Sequence, residues 1–134
     1  WYYNTEALKR DYGRVTDYLE PRNPHPDSIL WRSSYSPRNT SVDILHHQSE
    51  YWGKRGIHYH QFLKAGENTL NLKLAGELLR QLQDQGAYSG KQWLKHLVTY
   101  MTTPGNHNDT YVEEYLRHFF TQFCYTVFPP NSFT

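Results

Sequence analysis

The chain has 134 residues, enough to bury the core of one domain, and residues 1–134 are read as a single domain. A formal net charge of +1 gives no electrostatic ground for a nucleic-acid or membrane partner, and no apolar run approaches the length of a membrane span. One cysteine, Cys124, excludes an intrachain disulfide framework and favours a reducing, intracellular setting, with the cytoplasm as the expectation.

In chain order, Asn4 and Thr5 are N-cap candidates for a short helix through Leu8 and Tyr12 that ends at Gly13. Residues 20–42 hold Pro21, Pro24, Pro26 and Pro37, a density that excludes a long helix and predicts a long Pro-rich loop. Within it, Ile29-Leu30-Trp31 is an apolar island expected to anchor the loop on the body. Residues 43–64 suit a short helix ending near Gly53 or Gly56. The segment Ile57-His58-Tyr59-His60-Gln61-Phe62 reads either as a strand or as the approach to the next helix. Leu70, Leu74, Leu78 and Leu82 repeat every four residues and predict a helix over 67–85, closed by Gly86. A helix from Ser89 carries Trp93, Leu94, Leu97, Val98 and Met101 on one face and stops at Pro104-Gly105. A last helix, expected to start between Asn108 and Thr110, carries Val112, Tyr115, Leu116, Phe119, Phe120 and Phe123, with Pro129-Pro130 beyond it. Short connections between these three helices predict antiparallel packing. The fold class is therefore all-α.

Several groups of residues can carry chemistry. Gly66-Glu67-Asn68-Thr69 offers a carboxylate, an amide oxygen and a hydroxyl, the hard oxygen donors that Mg²⁺ or Ca²⁺ prefers. The same residues can satisfy free N–H groups at a helix start. His107-Asn108-Asp109-Thr110 follows a Pro-Gly turn and reads either as an N-cap or as a ligand-binding loop. His58-x-His60 is compatible with zinc, but no cysteine lies nearby and no H-E-x-x-H pattern occurs. His96 and His118 lie inside amphipathic helices and read as structural. Cys124 sits among aromatics and reads as a buried, inert thiol. Arg22, Arg32, Arg38, Lys54 and Arg55 cluster in the first half, where they face solvent or a phosphate. Aromatic residues make up 16%, including 12 Tyr and 4 Trp, whose polar tips suit a binding surface.

The segments Trp1-Tyr2-Tyr3, Asn23-Pro24-His25-Pro26-Asp27-Ser28, Ala65 through Leu74 and Met101 through Tyr111 together resemble the ADP-ribosylglycohydrolase family, in a divergent branch. The resemblance covers roughly residues 1–120. It implies an all-α helix bundle, orthogonal and antiparallel, with a binuclear Mg²⁺ centre. The implied activity is hydrolysis of the bond between ADP-ribose and an acceptor. Carried onto this sequence, the metal residues are Glu67, Asn68 and Thr69; His107, Asn108 and Asp109 are the residues chosen for substrate or loop contacts. Well-characterised members have Thr-Asp-Asp-Thr where this chain has Gly66-Glu67-Asn68-Thr69. Their Gly-Asp-x-Asp motif has no counterpart here. The chain opens on Trp1 rather than Met, and it is read as an N-terminal fragment, incomplete as a bundle and inactive in isolation. The altered acidic residues also fit a second reading: a pseudoenzyme that binds ADP-ribose or a nucleotide without hydrolysis.

Overall fold

A computed structural model describes residues 4–19, 29–33, 35 and 42–126, with side chains as far as Phe123. The segments 1–3 and 23–28, most of the Pro-rich stretch, Pro129-Pro130 and the Cys124 side chain lie outside the described residues. Four α-helices appear among the described residues, joined by turns and loops without a strand: α1 (Thr5–Tyr12), α2 (Leu70–Gln85), α3 (Gly90–Thr102) and α4 (Glu114–Thr126). None is long and apolar enough to cross a membrane.

Helix boundaries follow local chemistry. Asn4 caps α1, its Oδ1 accepting the Ala7 N–H at 2.9 Å, and Gly13 ends the helix at φ 62°. Gly86 closes α2 in the left-handed region at φ 71°, its N–H reaching the Leu82 carbonyl. Ser89 caps α3 by accepting the Gln92 N–H. Glu77 near the middle of α2 meets His96 in α3 at 2.8 Å, and a four-residue link joins the two helices. That pairing makes them an antiparallel hairpin, as the short connection predicts.

Two starts differ from expectation. α2 begins at Leu70 rather than at residue 67, and α4 begins at Glu114 rather than between Asn108 and Thr110. Both displacements have one cause. Asp109 does not cap its own helix; its Oδ2 accepts the Leu70 N–H at 3.0 Å, 39 residues away. Residues 107–113 therefore stay outside the helix and run along the start of α2. In segment 43–64, the 3₁₀ turn at Gln48–Tyr51 takes the place of the expected short helix, and 57–62 forms no strand, with turns at 59–62.

The core gathers Leu30, Ile44, Leu45, Trp52, Leu70, Leu74, Leu97, Met101, Val112, Leu116, Phe120 and Phe123. Leu30 is fully buried and its carbonyl accepts the Gly53 N–H at 2.7 Å, so the Ile29–Arg32 turn is fastened to the body. Of the expected apolar island, Leu30 alone is buried; Ile29 stays exposed and Trp31 half-buried. The leucine stripe of α2 is buried only at its N-terminal end. Leu78 and Leu82 are half-buried and Leu79 is 57% exposed.

Candidate functional site

The segment His107–Thr110 is held from three sides. Asn108 Nδ2 donates to the Phe62 carbonyl at 2.7 Å, and Gln48 Nε2 donates to Asn108 Oδ1 at 2.9 Å. Thr110 Oγ1 donates to Gln48 Oε1 at 3.0 Å, and the Trp52 indole N–H donates to the Thr110 carbonyl at 3.1 Å. His107, Asp109 and Thr110 are all buried. The side chains of Asn108, Asp109 and Thr110 are thus all hydrogen-bonded within the protein, which is how such a polar segment tolerates burial.

Asp109 is the hinge of the arrangement. Its Oδ2 holds the first amide of α2, while its Oδ1 accepts the Tyr111 N–H at 3.2 Å and faces His60 Nδ1 at 2.6 Å. Two N–H donors already make this carboxyl an acceptor, so the imidazole proton of His60 is assigned to Nδ1. In the neutral form of the ring, the lone pair is then on the other nitrogen, Nε2. It has no hydrogen bond among the described residues.

His60 and Asp109 line a cleft of about 280 Å³ with Ile29, Tyr59, Thr69, Asn71, Tyr111 and Glu113. Glu113 accepts from Asn71 Nδ2 at 3.1 Å and from the Tyr111 hydroxyl at 3.2 Å, one donor on each oxygen. Burial, reinforced by the Glu113 charge, pushes the Tyr111 phenol above its ordinary range and keeps it a donor. Tyr59 meets Tyr111 edge-on at 5.6 Å between ring centres and stacks on His58 at 4.7 Å, which builds an aromatic wall. The cleft thus presents two carboxylates, an imidazole and a side-chain amide beside two phenols, a set suited to a hydroxyl-bearing ligand.

The sequence-predicted residues divide around this cleft. Thr69 and Asp109 line it. Thr69 stands at the N-cap position of α2 but makes no side-chain cap bond. Asn68 is exposed. Glu67 Oε1 meets Lys73 Nζ at 2.6 Å and its Oε2 accepts the Lys64 N–H at 3.0 Å. The Lys73 hydrogen bond holds the Glu67 carboxyl below its usual range. As placed, Glu67 is committed to an ion pair with Lys73, and a Mg²⁺ ion at Glu67 would have to displace that ammonium. No group of three or more His, Cys, Asp or Glu side chains among the described residues is arranged to hold a metal ion. His58 and His60 do not converge as a chelating pair either: His58 Nδ1 accepts the His60 N–H at 3.0 Å, while His60 Nδ1 faces Asp109.

His107 and Asn108 sit behind the cleft rather than in it. His107 Nδ1 accepts the Asp109 N–H at 3.3 Å, which steadies Asp109 from the rear. Its ring lies 5.0 Å from that of His46, and its Nε2 is buried without a well-formed hydrogen bond. Burial, with the neighbouring His46, lowers the His107 pKa to about 4, although Asp109 and the Ile44 carbonyl favour the protonated form. Of the basic residues in the first half, Arg55 stacks on Trp31 at 3.4 Å and Lys54 pairs with Glu50 at 3.6 Å. Arg22 and Arg38 lie outside the described residues.

Tyr59, Asn71 and Glu113 enter the cleft without a sequence signal that isolates them. Glu113 reads as an ordinary first-turn acid of α4, and Asn71 as one polar position in a leucine helix. Comparison with known proteins finds no protein-family model, curated protein or solved structure that matches this chain.

Proposed function

We propose that the chain belongs to an ADP-ribosylglycohydrolase-like hydrolase and supplies one wall of the cleft that holds an ADP-ribosyl group. One observation carries this reading. The two segments on which the resemblance rests most specifically, 65–74 and 101–111, meet at the start of α2, joined by the Asp109–Leu70 hydrogen bond. The donors and acceptors that line the meeting point suit sugar hydroxyls, and Tyr59, 37% exposed, offers a ring for an apolar sugar face.

Calorimetric titration of the full-length protein with ADP-ribose tests the proposal. Saturable binding is expected, and Asn71→Ala should weaken it about tenfold, the equivalent of one hydrogen bond. Absence of binding would overturn it. A second reading, binding without hydrolysis, is favoured by the Lys73 ammonium on Glu67. Under that reading ADP-ribose binds, but an ADP-ribosylated peptide stays intact.

A further inference from the structure

The cleft holds an imidazole and a buried carboxylate in the arrangement that general base catalysis uses, and a metal-free means of activating water follows from it. Asp109 is 1% exposed and fixed by the Leu70 and Tyr111 amides. It is therefore a rigid acceptor for His60 Nδ1–H. A carboxylate at 2.6 Å sets both the ring orientation and the tautomer, and it stabilises the positive charge the ring acquires on taking a second proton. His60 lines the cleft and its side chain is 19% exposed, so it is reachable from the ligand side yet shielded from bulk water. Glu113, in the lining of the same cleft, adds negative charge that would favour a cationic ribosyl carbon in the transition state.

We infer that His60, positioned by Asp109, is the proton-transfer group of this cleft and activates the attacking water without a divalent metal. The inference rests on the hydrolase reading above. In the reaction, His60 Nε2 takes one proton from water while the water oxygen bonds to the ribosyl carbon. The bond from that carbon to the acceptor breaks and its electron pair leaves with the acceptor. The imidazolium then returns the proton to the acceptor, so one water is consumed and His60 ends as it began.

The experiment follows ADP-ribose release from an ADP-ribosylated peptide by the full-length protein, once with Mg²⁺ and once with EDTA. Binding of ADP-ribose is measured in parallel. The expected result is release that survives EDTA. His60→Ala should lower kcat by roughly 10²–10⁴-fold, the usual contribution of a general base, with KM nearly unchanged. Added imidazole should restore part of the rate to His60→Ala, which a merely structural role would not allow. His60→Gln, which keeps a donor for Asp109, guards against a folding defect; it should be equally slow at an unchanged melting temperature. Release that requires Mg²⁺, or proceeds at the original rate in His60→Gln, would overturn the inference and leave the hydrolase reading intact. Binding of ADP-ribose without release in either condition would overturn the hydrolase reading, and the inference with it.

Discussion

At the scale of single residues, burial gives His107 a role that its place in the sequence does not reveal. In the chain it stands in a polar run that reads as a ligand loop; in the fold it is 4% exposed and braces Asp109 from behind. Its pKa, lowered from 6.5 to about 4, means that the unfolded chain binds a proton more readily than the folded one between these two values. Stability is therefore full above pH 6.5 and falls as the pH drops toward 4. About 3 kcal/mol is at stake, from 1.36 kcal/mol per pH unit. His46 and His58, also lowered by burial, act in the same direction. Urea unfolding between pH 7.5 and 4.5 should show the loss, and His107→Asn should flatten it, since the amide keeps an acceptor for the Asp109 N–H but does not titrate. An unchanged slope in that variant would assign the acid sensitivity elsewhere. The tandem left-handed residues His46 (φ 47°) and His47 (φ 71°) are likewise invisible in sequence. Asp43 sets them by accepting the N–H groups of Leu45 and His47 at 2.9 and 2.7 Å.

Among the elements, α2 shows what sequence can and cannot settle. Its leucine spacing and closing Gly86 are legible because periodicity and a left-handed C-terminal glycine are local properties. Its start is not, because the group that satisfies the Leu70 amide comes from residue 109. Thr69 is the obvious cap by position, yet its hydroxyl makes no cap bond. Thr69→Ala should therefore cost less than about 0.5 kcal/mol instead of the ~1 kcal/mol of an N-cap loss. Asp109→Ala should cost about 3 kcal/mol or more, since it strips two backbone amides and an imidazole of their acceptor. Chemical denaturation of the two variants compares these values; equal costs would refute the assignment of the cap. The same locality argument covers the cleft. Thr69 and Asp109 are legible as polar helix-start residues, whereas Asn71 and Glu113 become partners only through tertiary contact.

For the whole molecule, the all-α class was legible from three well-separated helical patterns, while the extent of burial was not. α4 buries Leu116, Phe120 and Phe123 but leaves Tyr115 68% exposed, although the sequence places it on the same apolar face. Phe120, 2% exposed and edge-on to Phe119 at 5.0 Å, should be a strong anchor. Phe120→Ala is expected to cost about 3–5 kcal/mol, and Leu72→Lys on the exposed side of α2 less than about 0.5 kcal/mol. Thermal melts of the two variants check these values, and equal costs would remove Phe120 as an anchor. The reach of the Asp109 contacts has a kinetic consequence as well. α2 and α3 are neighbours in sequence and can pair after closing a short loop, whereas Leu70 and His60 must wait for a residue 39 and 49 positions further on. The helical hairpin is thus expected to assemble early in folding. The first turn of α2 and the cleft beside it would become rigid only when the 107–111 segment docks, so the cleft is among the last parts of the molecule to form.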